Sequence, residues 1–237
     1  MPEPLLELED VTAGYGGSVV LRGISMSVHA GEVVGIIGPN GHGKTTLLKT
    51  ISGLVRARSG AITLDGRSIA KSPPDRIVSS GLVQIPQGDL VFPDMTVEDN
   101  LLTGAYLLPS DRRPAQLESA YAMFPKLRDR RGQLASTLSG GERRMLAIGR
   151  GLMTDSRILM IDEPSLGLAP IVIDQIYAAL ERLKDQGRTI VLVEENPSRV
   201  EDFASLIHLV DSGVFVWTGT AADLKRSESI LETYLGG

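Results

Sequence analysis

Residues Gly38–Thr45 read GPNGHGKT, a loop opened by glycine and closed by Gly-Lys-Thr. It follows the apolar run VVGII and leads into KTTLLKTI, so the spacing G-x-x-x-x-G-K-[ST] stands where a strand gives way to a helix. Gly38, Gly41 and Gly43 let backbone N–H groups turn inward around phosphate oxygens, and the helix starting at Lys44 adds its positive end. In this context Lys44 reaches the β- and γ-phosphates of a nucleotide and Thr45 offers its hydroxyl to Mg²⁺. Asn40 and Thr46 complete the candidate phosphate-binding set. His42 occupies a variable position of the loop, where side chains point outward while the backbone does the holding.

A second apolar run, ILMI, ends in Asp162-Glu163-Pro164. Beside a phosphate loop, two acids at a strand end have separable tasks. Asp162 would hold Mg²⁺, directly or through water, and Glu163 would polarise the attacking water as a general base. The segment Leu138–Glu142, LSGGE, opens the helical run ERRMLAIGRGLM and makes a second phosphate-facing helix start at Ser139, Gly140 and Gly141. A chain that already has one triphosphate loop has no local use for another, which suggests a nucleotide shared between two subunits. A third apolar run, TIVLV, ends in a pair of carboxylates, Glu194 and Glu195.

These residues must be positioned by alternating strands and helices. Strands are expected at Leu5–Val11, Gly17–Val28, Glu32–Ile37, Ala61–Leu64, Gly81–Ile85, Ile158–Ile161, Thr189–Val193, Leu206–Val210 and Val214–Thr218. Helices are expected at Lys44–Ser52, Ile171–Asp185, Ser198–Ala204 and Ala221–Tyr234. Between Val97 and Arg150 the pattern is mainly helical, with Thr96 as N-cap and loops at Leu108–Pro114 and Arg128–Leu138. Buried strands alternating with helices imply a mainly parallel sheet covered on both faces.

The 237 residues carry a net charge of −5, which argues against a nucleic-acid binder needing a basic face. With no cysteine there is no disulfide framework, thiolate metal site or thiol nucleophile. The acidic N-terminus shows no secretion pattern, and the apolar runs fall far short of the ~20 residues needed to span a bilayer.

Taken as an ordered set, GPNGHGKTT, Gln87, LSGGE, ILMIDEP and SLGLAP resemble the ATP-binding cassette ATPases over essentially the whole chain. That resemblance implies a P-loop NTPase core with an N-terminal antiparallel β subdomain, residues 1–87 and 151–237, and an inserted helical subdomain, 88–150. It implies a head-to-tail pair of cassettes enclosing two ATP, with Ser139 and Gly141 contacting the γ-phosphate held by the other subunit. Tyr15 matches the ring that stacks on adenine, and Gln87 matches the glutamine that reaches Mg²⁺ and the attacking water. Glu195 falls where most such proteins have a histidine bonded to the γ-phosphate. A carboxylate there repels phosphate, so this ATP site is expected to be slow and a partner cassette faster.

The closer match, through VFPDMTVEDNLLTGAY, LSGGERRMLAIGRGLM and DEPSLGLAP, is to the ATPase subunits of branched-chain amino-acid importers. It implies two transmembrane permeases, a solute-binding protein acting through them, and a peripheral place on the cytoplasmic face of the membrane. Val91, Phe92, Pro93 and Met95, with Tyr121, Met123, Phe124 and Pro125, are candidates for a permease-binding groove or for core. No appended regulatory domain is expected after Gly237. Two alternatives are a lipid-exporting cassette, which LSGGERR also fits, and a soluble assembly ATPase not tied to transport.

Overall fold

A computed structural model describes residues 3–226. The first unit is an antiparallel sheet of β1 (Leu6–Ala13), β2 (Leu21–Val28), β4 (Ala57–Leu64) and β5 (Arg67–Ser68), in the order β2-β1-β4-β5. Gly17–Val20, expected to begin the second strand, lies outside it: Tyr15–Ser18 make a turn, and Ser18–Val20 have no regular structure. The Ser18 N–H donates to Tyr15 O at 2.9 Å, and Arg58 donates to the carbonyls of Gly16 and Ser18, both at 2.8 Å. A side-chain clamp from a strand 40 residues on has overridden local β-propensity.

The second sheet runs β10-β9-β3-β8-β7-β6 and is parallel except for the hairpin edge. Its strands are β3 (Val33–Ile37), β6 (Leu82–Ile85), β7 (Ile158–Asp162), β8 (Thr189–Glu194), β9 (Leu206–Asp211) and β10 (Val214–Gly219). Alternation along these strands divides the core in two. Ile158 and Met160 of β7, and Val191 and Val193 of β8, pack with the first sheet and with α1 (Lys44–Ile51). Leu159 and Ile161, with Ile190 and Leu192, face the other way, against the helical stretch and α7 (Pro170–Asp185). The next residue of each strand follows the same parity. Asp162 therefore turns toward α1, and Glu194 toward α7.

Helices α2 (Pro74–Ser79), α3 (Val97–Gly104), α4 (Arg113–Met123), α5 (Pro125–Asp129) and α6 (Gly140–Leu152) fill the middle of the chain. Thr96 caps α3 as expected, its Oγ accepting the Asp99 N–H at 3.1 Å. The expected loop Arg128–Leu138 is more ordered than that: α5 reaches into it, and Ala135–Thr137 forms a 3-10 turn. Tyr121 and Phe124 belong to the core, at 3% and 2% exposure, in the cluster that holds Met145 and Ile148 of α6, and Phe124 also lines a groove with Met123 and Pro125. Phe92 and Met95 are exposed, held by the buried Asn100 side chain, which bonds Phe92 N, Phe92 O and Met95 O. Helices α8 (Ser198–Glu201) and α9 (Ala221–Arg226) complete the described chain. The rest of the expected last helix, to Tyr234, lies outside the described residues. Among those described, no helix is long and apolar enough to cross a membrane.

Candidate functional site

The loop between β3 and α1 forms one wall of a polar cleft lined by Asn40, Gly41, Gly43, Lys44, Thr45, Thr46, Gln87 and Glu163. At its entrance Gly38 has φ +150°, and a Cβ there would lie 2.2 Å from Val210 O, so no other residue fits without moving β9. Lys44 is 4% exposed; its ammonium donates to Gly38 O at 2.7 Å and Pro39 O at 3.1 Å and pairs with Glu163 Oε1 at 3.2 Å. Gln87 donates to Glu163 Oε2 at 2.8 Å. The lysine and the glutamine expected at the site thus meet on Glu163, one at each carboxylate oxygen.

Asp162 sits beneath them, 1% exposed, and neither carboxylate oxygen has a hydrogen-bond partner among the described residues. Burial pushes its pKa up to about 6, while the nearby Thr45 hydroxyl and the Glu163 charge act in opposite senses, lowering and raising it. A buried carboxylate without donors, next to a threonine at a phosphate loop, is a hard-oxygen set that suits Mg²⁺.

Glu163 has φ +44°, a left-handed conformation that costs a non-glycine residue roughly 1–2 kcal/mol. The neighbourhood holds it there. Its N–H donates to Val193 O at 2.9 Å, and its carbonyl accepts from Leu166 N at 3.3 Å. Arg144 of α6, 5% exposed, brings its guanidinium within 3.5 Å of Glu163 O and Leu166 O. Burial lowers the Arg144 pKa, and the carboxylates of Asp89, Glu194, Asp162 and Glu163 work against that.

The Glu194-Glu195 pair splits. Glu195 is exposed and accepts from Asn40 Nδ2 at 2.9 Å, which places it at the rim of the phosphate loop. Glu194 is 2% exposed on the α7 side. It accepts from Ser165 N at 3.1 Å, Ser165 Oγ at 2.9 Å and Tyr177 OH at 2.9 Å. Burial raises the Glu194 pKa against those three bonds, and burial and the Glu194 charge raise that of Tyr177. His42 does not project freely: its Nδ1 lies 2.5 Å from Asp211 Oδ1, and Ser212 N donates to the same nitrogen at 3.2 Å. Sequence reasoning missed these partners of Glu194 and His42, which come from distant parts of the chain. The one local sign was a carboxylate continuing the uninterrupted apolar run TIVLV.

Tyr15 and Ser139–Gly141 do not line the cleft. Tyr15 is 49% exposed on the β1–β2 turn, and that connection nears the loop where Leu21 and Val20 approach Gly43. Ser139 caps α6 in a reciprocal capping box with Glu142. A Cβ on Gly141 would lie 2.8 Å from the Val172 side chain, so the α6 start is seated tightly on α7.

The sequence profile of the ABC transporter family matches residues 21–166. The chain is 39% identical over 233 residues to the high-affinity branched-chain amino acid transport ATP-binding protein BraG of Pseudomonas aeruginosa, covering 98% of this chain and 100% of that one. It is 35% identical to the probable branched-chain amino acid transport ATP-binding protein LivF of Archaeoglobus fulgidus, covering 98% and 99%. Among solved structures it resembles the ADP conformation of MJ1267, an ATP-binding cassette of an ABC transporter, with a TM-score of 0.85, 28% identity and full coverage of both chains.

Proposed function

This chain belongs to the ABC transporter family of ATPases, and from that premise we propose that it powers an importer of branched-chain amino acids or a related small polar solute. The supporting observation is the triad Lys44, Glu163 and Gln87 at the phosphate loop. The triphosphate of ATP takes the backbone N–H groups of Gly41 and Gly43 and draws Lys44 away from Glu163. Glu163, released from that pair and still oriented by Gln87, accepts the proton of the attacking water. Asp162 and Thr45 would hold Mg²⁺, and the chemistry such an ion would supply when bound is neutralisation of phosphate charge. Tyr15 stacks on adenine. Ser139, Gly140 and Gly141 serve the ATP bound to a second cassette, a role that fits their absence from this chain's own cleft. Residues 88–150 act as the helical subdomain, and residues 1–87 with 151–237 as the core.

The working complex pairs this chain with another cassette and two permeases at the cytoplasmic face of the membrane, with a solute-binding protein upstream. A groove lined by Val83, Ile85, Pro86, Phe92, Gly104 and Arg150, flanked by exposed Leu90 and Met95, suits a short helix from a permease. Glu195 makes this chain's own site the slower of two. Mild-detergent pull-down of the tagged chain from native membranes tests the assignment. Two permeases and a histidine-containing cassette recovered with it support the importer. Recovery from the soluble fraction alone favours an assembly ATPase.

A further inference from the structure

Hydrolysis as described leaves one buried carboxylate without a task. Glu194 closes β8 in the middle of the parallel sheet, on the face opposite Asp162, where a leucine or valine would continue the apolar pattern. Its two oxygens instead gather three donors from two other parts of the fold. Two come from Ser165, in the turn after β7, and one from Tyr177, a full turn inside α7. We propose that Glu194 is a positioning residue for hydrolysis, holding through Ser165 and Tyr177 the turn that aims Glu163 into the phosphate-loop cleft. The proposal rests on the ATPase reading above.

Ser165 follows Glu163 by two residues, so fixing both its N–H and its hydroxyl limits the rotations by which Glu163 could leave φ +44°. A relaxed Glu163 would take its carboxylate away from Lys44 and Gln87. The donor set calls for an acceptor here: one oxygen takes Ser165 N–H and Tyr177 OH, and the other faces the Ser165 hydroxyl. A glutamine could keep all three contacts by turning its NH₂ onto that hydroxyl, which also accepts, whereas a leucine offers no acceptor. Tyr177 extends the same fixation to α7, which carries Val172 beneath Gly141, so the loop beyond Glu163 is tied to the helix that seats the second phosphate-facing element.

The test compares the full-length chain with Glu194→Leu and Tyr177→Phe, each alone and combined with Glu163→Gln. Turnover of Mg-ATP, affinity for a fluorescent ATP analogue and the thermal midpoint are measured in parallel. For Glu194→Leu, turnover is expected to fall about ten- to a hundred-fold with affinity within about two-fold of wild type. Tyr177→Phe is expected to fall in the same direction by less. In the Glu163→Gln background, Glu194→Leu is expected to cost nothing further, because it acts through that base. Unchanged turnover would overturn the proposal. So would an undiminished loss in the Glu163→Gln background, or a fall in affinity and midpoint that matches the fall in turnover. Should Glu194→Leu not fold, Tyr177→Phe and Ser165→Ala carry the same comparison. A wild-type chain that neither binds nor hydrolyses ATP would overturn the functional reading instead.

Discussion

At the scale of single residues, Glu163 pairs with Lys44. In the reaction proposed above, the triphosphate would take that lysine and leave the carboxylate free to accept a proton. Glu163→Gln would keep an oxygen or amide on Gln87 but remove the proposed base, so hydrolysis should fall by roughly 10²- to 10⁴-fold. ATP affinity should hold or improve, since Lys44 no longer has to leave an anionic partner. Product release and nucleotide retention, measured on the same sample, check both halves. Glu195 invites the opposite change. Its exposed carboxylate lies on Asn40; on the proposed reading it would repel a bound phosphate and, while ionised, could not donate to it. Glu195→His is expected to raise turnover of this site about ten-fold in the assembled transporter. Equal or lower turnover there would show that the carboxylate is no handicap.

At the scale of elements, caps and clamps decide what forms. The Thr96 hydroxyl supplies the only side-chain cap of α3, so Thr96→Ala should cost about 1 kcal/mol of stability in denaturant unfolding with ATP affinity unaltered. This cap, the helix start at Ser139, the phosphate loop and the Asp-Glu strand end were all readable, because each is a short contiguous pattern whose physics is local. Other features were not. Gly17–Val20 has strand-like residues, but Arg58 holds the Gly16 and Ser18 carbonyls outside the strand. Tyr121 and Phe124 could serve a core or a surface equally well by composition, and only the packing of α4 on α6 decides. The burial of Glu194 was not legible, because nothing in the sequence states that β8 lies between β3 and β7. His42 meets Asp211 across 169 residues, a distance no local pattern spans.

At the scale of the whole molecule, acid sensitivity has an identifiable contributor. His208 in β9 is 4% exposed, bonded through Nδ1 to Thr218 and stacked on Phe215. Burial lowers its pKa to about 4. Below the ordinary histidine value the unfolded chain takes up a proton that the folded chain refuses. Stability therefore falls as pH drops from about 6.5 toward 4, by at most on the order of 3 kcal/mol. Asp162 and Glu194, raised by burial, act in the opposite sense, so the difference between wild type and His208→Gln isolates the imidazole. The variant should show the flatter profile in urea unfolding across that range. A parallel profile would assign the acid sensitivity elsewhere.

The core behind the helical stretch bears on how such a protein can change over time. Val83 and Ile85 of the sheet, Leu101, Phe124 and Ile148 of the helices, and Ile176 and Leu180 of α7 form one contiguous apolar cluster. The stretch 88–150 is continuous in sequence but does not end at a seam. Its inward residues are matched to strands and a helix that lie outside it. It is therefore a poor unit of exchange: a recombinant that acquired this stretch from a divergent relative would inherit one half of an interlocked surface. The solvent side of these helices is free of that constraint, while the inner side has to change together with the sheet.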